Sequence, residues 1–344
     1  MNLNAHKILI VGDGRPNHVG AHFLAAARSM GLDNLFLDTA PLDRESPWLQ
    51  KKIHWWLLGR KPIHLFEFSR KVLKAAESYG PHWILTVGFA PLDRAAVERL
   101  EKQNVCLINF LTDNPWAIVP RPFWFLRTLR HYAHVFTPRR SNESMLSRTG
   151  CRRVSYLPFA YAPESHYPEE PGVLEEEKKF FESDIVFVGC ADRDRLVYIR
   201  ALLRAGFRVN LYGPRWERYA RTARMARGNA DPRTMRLAVG KARLALGLVR
   251  RANRDGNSMR TFEIPAIGGC MLAEDTEDHR VLFGAEGENV VYFRGSEDLV
   301  GSVARLVNDE KERLRLARAA RRLITSGNHT YRHRLEAMLQ AVPV

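Results

Sequence analysis

Two carboxylates, Asp255 and Glu263, stand eight residues apart across a stretch that reads as a loop running into a helix. Asp255, Gly256 and Asn257 form a turn cluster, Ser258 is a good N-cap, and Met259 to Ile267 suits a short helix stopped by Gly268 and Gly269. The first backbone N–H groups of such a helix lack partners within it, so they and the positive end of the helix dipole attract a phosphate. Arg260, in the first turn, adds a charge-assisted donor. Glu263 lies one turn further in and can accept hydrogen bonds from vicinal hydroxyls such as those of a ribose. Asp255, on the preceding loop, can reach a second polyol, and Asn253 on the same loop is a further donor-binding candidate. The plainer alternative is a glutamate that caps and pairs locally, and spacing alone leaves both open.

Residues of this kind need a scaffold. A chain of 344 residues with 45% hydrophobic content can build two domains, each with its own core. Cys106, Cys151, Cys190 and Cys270 show neither a C-x-x-C pair nor metal-ligand spacing, and none of the twelve histidines falls in an H-E-x-x-H context. No resident metal or cofactor is therefore expected. No signal segment and no apolar run of ~20 residues is evident, which points to a reduced, cytoplasmic protein. The net charge is +15, and Arg215 to Arg254 holds twelve Lys or Arg against Glu217 and Asp231, a local net of +10. Such a patch suits a nucleic acid, an anionic membrane or a polyanionic acceptor, or it is a solvated face. Nucleic acid is disfavoured because no recognised binding module accompanies the charge.

Short apolar runs at Lys7 to Gly12, Asn34 to Leu37, His82 to Gly88, Cys106 to Phe110, His134 to Thr137 and Val154 to Leu157 alternate with helical segments, the grammar of a doubly wound parallel sheet. The acid-rich stretch from Pro163 to Glu182 breaks this rhythm as a linker would. Asp184 to Gly189 and Arg208 to Gly213 then restart it. The expected organisation is an amino-terminal domain over 1–162, a linker over 163–182, a second domain over 183–327 and a terminal helix over 328–344 that packs back on the first domain. In open α/β sheets ligands bind outside the carboxyl ends of the strands. That rule selects Asp13, His18 and His22 after the first strand, Asp113 and Asn114 after Phe110, Gly189, Arg193 and Arg195 after the strand ending at Val188, and Tyr212 and Gly213 after Leu211. For Asp113 the bland role is capping the turn before Pro115, and for Arg193 and Arg195 it is solvation of a helix start. Gly12 and Gly14 lack the third glycine of G-x-G-x-x-G, and no P-loop is present.

Asp184-Ile-Val-Phe-Val-Gly189, Leu211-Tyr-Gly-Pro-Arg-Trp216, Ser258 to Gly269 and His329-Thr-Tyr331, with Leu111-Thr-Asp-Asn-Pro-Trp116 and Tyr156-Leu-Pro-Phe-Ala160, resemble the motifs of CgeB-like (spore maturation protein) glycosyltransferases. The resemblance covers most of residues 7 to 335. It implies the GT-B fold, two Rossmann-like α/β domains facing across a cleft, with a nucleotide-sugar donor (UDP- or GDP-linked) held mainly by the second. The related family-4-type enzymes carry two acids with seven residues between them, the later binding the donor ribose and the earlier the sugar. Glu263 matches the later one, and Asp255 replaces the earlier with a chain one methylene shorter. By the same resemblance Arg195 and Arg193 meet the diphosphate without a metal, anomeric configuration is retained, and an envelope or surface glycan, lipid or protein is the acceptor. Asp113, Asp255 and Arg195 are the candidates for direct chemistry, and Asp13, His18, His22 and Asn114 for the acceptor side. Trp48 to Leu58 and Arg121 to Arg130 mix aromatics with cations, the composition of peripheral membrane contact or of packed amphipathic helices.

Overall fold

The computed structural model describes residues 6–43, 52–54, 56–103, 105–169, 175–251, 254 and 256–343. The chain forms two compact units, one comprising Met1–Pro158 with Ala252–Arg254 and Tyr331–Val344 and the other Phe159–Arg251 with Asp255–Thr330.

In the first unit, β1 (Lys7–Gly12), α1 (Val19–Ser29), β2 (Asp33–Asp38), α2 (Leu65–Tyr79), β3 (Trp83–Val87), α3 (Arg94–Lys102), β4 (Cys106–Phe110), α4 (Phe123–Leu126), β5 (His134–Thr137), α5 (Arg140–Arg148) and β6 (Val154–Tyr156) follow in order. The sheet is wholly parallel, ordered β2-β1-β3-β4-β5-β6. Parallel strands covered on both faces read as continuous apolar runs rather than alternating ones. Ile8, Leu9, Ile10 and Val11 are accordingly all fully buried.

The second unit contains α6 (Glu175–Phe181), β7 (Ser183–Val188), α7 (Arg193–Arg204), β8 (Val209–Tyr212), α8 (Pro232–Lys241), β9 (Ala242–Gly247), α9 (Met259–Ile267), β10 (Met271–Glu274), α10 (Glu277–Phe283), β11 (Val291–Phe293), α11 (Ser296–Leu306) and α12 (Glu310–Ser326). Its parallel sheet is ordered β11-β10-β9-β7-β8. In both sheets the chain reverses its direction of winding once, between β1 and β3 and between β7 and β9. Those are the switch points at which this architecture leaves a crevice.

The last helix, α13 (Tyr331–Ala341), belongs to the first unit. Tyr331 meets Phe23 edge-on at 5.2 Å, and Trp83 Nε1 donates to the Val342 carbonyl at 2.8 Å. The stretch read as a linker is structured where it is described. α6 ends in Phe181, which is buried and stacks on Tyr212 with ring centroids 6.5 Å apart. Phe181, after the charge run, supplies an apolar anchor that a count of acids conceals.

Candidate functional site

At the carboxyl end of β7 the chain runs through Gly189 and Cys190 into α7. Gly189 N–H donates to the Tyr212 carbonyl at 2.8 Å, while its own carbonyl accepts from Trp216 Nε1 at 2.8 Å. Gly213 lies on the other side with φ +121°, and a Cβ there would stand 2.5 Å from the Gly189 carbonyl oxygen. Only glycine at 213 lets the ends of β7 and β8 come this close. Asp192 caps α7 by accepting from Arg195 N–H at 2.9 Å, which leaves Arg193 exposed in the first turn.

Three guanidinium groups converge on residues 188–190. Arg195 is buried, lies 5.3 Å from the Phe187 ring and donates from Nη1 to the Cys190 carbonyl at 3.1 Å. Burial lowers its pKa, but the Asp192 carboxylate 3.5 Å away opposes this, and a guanidinium stays charged. Arg250, just beyond β9, donates to Cys190 Sγ at 2.8 Å. Arg260, from the first turn of α9, donates from Nε to the Val188 carbonyl at 2.9 Å and pairs through Nη1 with Glu263. Two helix N-termini and three cations thus gather at the switch point of this sheet, an arrangement that stabilises charge on a diphosphate.

Glu263 is fully buried. One of its oxygens is taken by Arg260, and the other lies 3.5 Å from His166 Nε2. His166 Nδ1 accepts from the Ala162 N–H at 3.0 Å, so a neutral ring carries its proton on Nε2, toward the carboxylate. The glutamate thus makes the local pairing with Arg260 that the sequence offered as the plainer alternative. The start of α9 is fixed by a relay. Ser258 N–H donates to Thr261 Oγ1 at 3.0 Å, Thr261 Oγ1 meets His279 Nε2 at 2.9 Å, and His279 Nδ1 meets the Glu274 carbonyl at 2.7 Å. Burial lowers the His279 pKa, which favours the neutral ring that can accept from Thr261 and donate to Glu274. Gly256 and Asn257 are held from α10 and the turn before it, by Thr276 and Asp278 at 2.6 and 2.8 Å. Asn253 and Asp255 lie outside the described residues.

Tyr212 is buried to 1% exposure, its hydroxyl pushed up to about 12 by that burial, and its ring stacks on Phe181. In the first unit, Asp13 accepts from Arg15 and lies 3.2 Å from His18. Burial raises the Asp13 pKa, yet the Arg15 hydrogen bonds outweigh it and hold the carboxyl below its usual range. His18 stands at the N-cap of α1, its pKa lowered by burial. His22 is buried and stacks on Tyr331 at 5.0 Å. Asp113 is partly exposed, 3.7 Å from Arg139. The turn before Pro115 is capped by Asn114 instead, whose Oδ1 accepts from Trp116 and Ala117 N–H at 2.9 and 3.2 Å. His166 and the Thr261–His279 relay carried no local sequence signal. Arg250 did, since it follows directly on the apolar run that forms β9.

The fold so defined is GT-B. The sucrose-phosphate synthase of Thermosynechococcus elongatus superposes with a TM-score of 0.64 at 13% identity, covering 98% of both chains. Anabaena HepE in complex with UDP-glucose does so with 0.65 at 13% identity, over 98% of this chain and 100% of that one. A Listeria monocytogenes protein described as a UDP-N-acetylglucosamine 2-epimerase gives 0.57 at 14% identity, over 98% and 96%. Residues 195–340 match the family described as glycosyl transferase-like, which spans α7 to α13 and includes Arg195, Arg250, Arg260 and Glu263. No curated protein matches the sequence. Among the described residues no helix is long and apolar enough to cross a membrane.

Proposed function

We propose that the protein is a metal-independent, CgeB-like glycosyltransferase that takes a UDP- or GDP-sugar and passes the sugar, with retention, to an envelope or surface glycan, lipid or protein. The observation that carries this reading is the convergence of Arg195, Arg250 and Arg260 on the end of β7. Expelling a nucleoside diphosphate from an anomeric carbon builds negative charge on the leaving phosphate, and preorganised cations and helix N-termini offset that charge as it develops. Arg195 and Arg260 are fixed by backbone carbonyls before any ligand arrives, so little reorganisation accompanies the reaction. The glycosyl transferase-like match over this unit and the UDP-glucose in HepE favour the same donor class. Asp113 is assigned to the acceptor or reacting sugar, and Asp255 to the donor sugar.

The test is thermal stabilisation of the purified protein by UDP-, GDP-, CMP- and dTDP-sugars in chelator, with analysis of what becomes of the donor. At a hundredfold excess over Kd a ligand adds about 2.7 kcal/mol, or about 5–10 °C for a unit of this size. One donor class is expected to give that shift and to lose it in Arg250→Ala, with slow release of the nucleoside diphosphate. No shift with any donor refutes the proposal. Release accompanied by inversion at the sugar C2 assigns an epimerase instead, and a shift without turnover assigns a binding protein.

A further inference from the structure

The donor site leaves unexplained a cationic helix face at the opposite end of the second unit. α8 and α9 run toward that end, where β9 and β10 begin, and α12 lies beside them. α12 buries Leu316, Ala317, Ala320 and Ile324. Its acids lie in the first turn, where Glu312 pairs with Arg315. From Arg313 to Ser326 the helix holds five arginines and no acid. Lys311, Arg318, Arg321 and Arg322 are exposed and pair with no carboxylate among the described residues. Leu314 stands among them with 46% of its surface exposed.

Two grooves flank this face, and Leu314 and Arg318 line both. One, of about 260 Å³, has Leu237, Ile267 and Leu314 as an apolar floor and Lys241, Arg318 and Arg321 as cations at its rim. The acid in that groove, Glu169, is already held by Arg236 at 2.6 Å. The other, of about 440 Å³, adds Lys311, Arg315 and Arg322, with Asp309, which caps the helix by accepting from Glu312 N–H at 2.9 Å, and Glu312, which Arg315 holds at 2.7 Å. Cations around an apolar strip match an anion that carries an apolar body. A single-stranded nucleic acid would ask for exposed aromatics, which α12 does not offer, and a duplex, held through its phosphates, has no use for Leu314.

We propose that the outward face of α12 docks on an anionic lipid bilayer, phosphate headgroups meeting Arg318, Arg321, Arg322 and Lys311 while Leu314 enters the acyl boundary. This places the membrane contact in the second unit, apart from the stretches Trp48 to Leu58 and Arg121 to Arg130 that composition alone suggested. Each such cation near an anionic surface is worth about fivefold in partitioning. The surface is independent of the reading of the donor site.

The experiment is co-sedimentation of the full chain with vesicles of phosphatidylcholine containing 30% phosphatidylglycerol, against pure phosphatidylcholine. Binding is expected only to the anionic vesicles, weakened by salt. Arg318→Ala, Arg321→Ala and Arg322→Ala combined should reduce it about a hundredfold, and Leu314→Gln severalfold, with melting temperature and donor-induced stabilisation unchanged. The proposal is overturned if the triple variant binds within twofold of the parent, if the parent does not favour the anionic vesicles, or if millimolar inorganic phosphate displaces it completely, which would mark a small-anion pocket. Duplex DNA binding that the triple variant loses, with no vesicle binding in the parent, also overturns it.

Discussion

Replacing Glu263 with glutamine keeps the volume and removes the charge, and so asks what the buried carboxylate contributes. The side chain has no exposed surface, whereas the side chain of Arg260, whose charge it neutralises, keeps 20% of its own. Removing one partner of a buried ion pair costs about 3–5 kcal/mol, because the other charge is left in low dielectric. Partial access of Arg260 to solvent puts the expectation at the lower end, about 3 kcal/mol. For a unit of this size that is about 6–12 °C in melting temperature. Because Arg260 also holds the Val188 carbonyl, the same change should weaken donor stabilisation. The assay is thermal unfolding of Glu263→Gln, Arg260→Met and the double variant, each with and without a UDP-sugar. If the cost is an orphaned cation, the double variant should melt above Glu263→Gln, with a coupling of about 2 kcal/mol. Melting of Glu263→Gln within 2 °C of the parent, or strictly additive losses, would refute the reasoning and return Glu263 to a passive filler.

Gly213→Ala should cost at least about 2 kcal/mol and abolish donor stabilisation, because the new Cβ meets the Gly189 carbonyl at 2.5 Å in a left-handed backbone. Gly206→Ala, also at positive φ but with nothing within 4 Å, should cost only about 1 kcal/mol and leave donor binding intact; equal losses in the two would discount the close approach of β7 and β8. His134, stacked on Phe136 at 4.0 Å, has its pKa pushed from 6.5 down to about 4 by burial and by Arg153. The unfolded chain therefore takes up a proton in that window which the folded chain refuses, so the stabilisation is complete above pH 6.5 and is lost as pH falls toward 4. His134→Gln should lose less melting temperature than the parent between pH 7 and pH 5, and an equal loss would remove the assignment.

What could be read in advance follows the range of the forces involved. β1, β4 and β5 begin and end where the apolar runs do, because a strand in a parallel sheet must be apolar on both faces and therefore announces itself locally. α9 is as legible, since Ser258 and Gly268 mark its ends with backbone requirements that few residues meet. The functional meaning of Glu263 was not legible to the same depth. Its role depends on Arg260, one turn away and visible, but also on His166, ninety-seven positions earlier, at 3.5 Å. Asp113 and Asn114 show the same limit at closer range, for both fit an Asx turn before proline. Only the packing of Arg139, which donates to the Thr112 carbonyl at 2.9 Å beside Asp113, separates the capping residue from the partly exposed acid. Sequence identifies which groups can carry charge. Which of them are already neutralised, and hence which remain to meet a ligand, is decided by partners that only the fold brings together. Around the end of β7, Arg195 and Arg250 share the Asp192 carboxylate at 3.5 and 3.8 Å and Arg260 pairs with Glu263, so three cations face two acids, and the one positive charge left over argues for a diphosphate in a way that the two-carboxylate spacing alone did not.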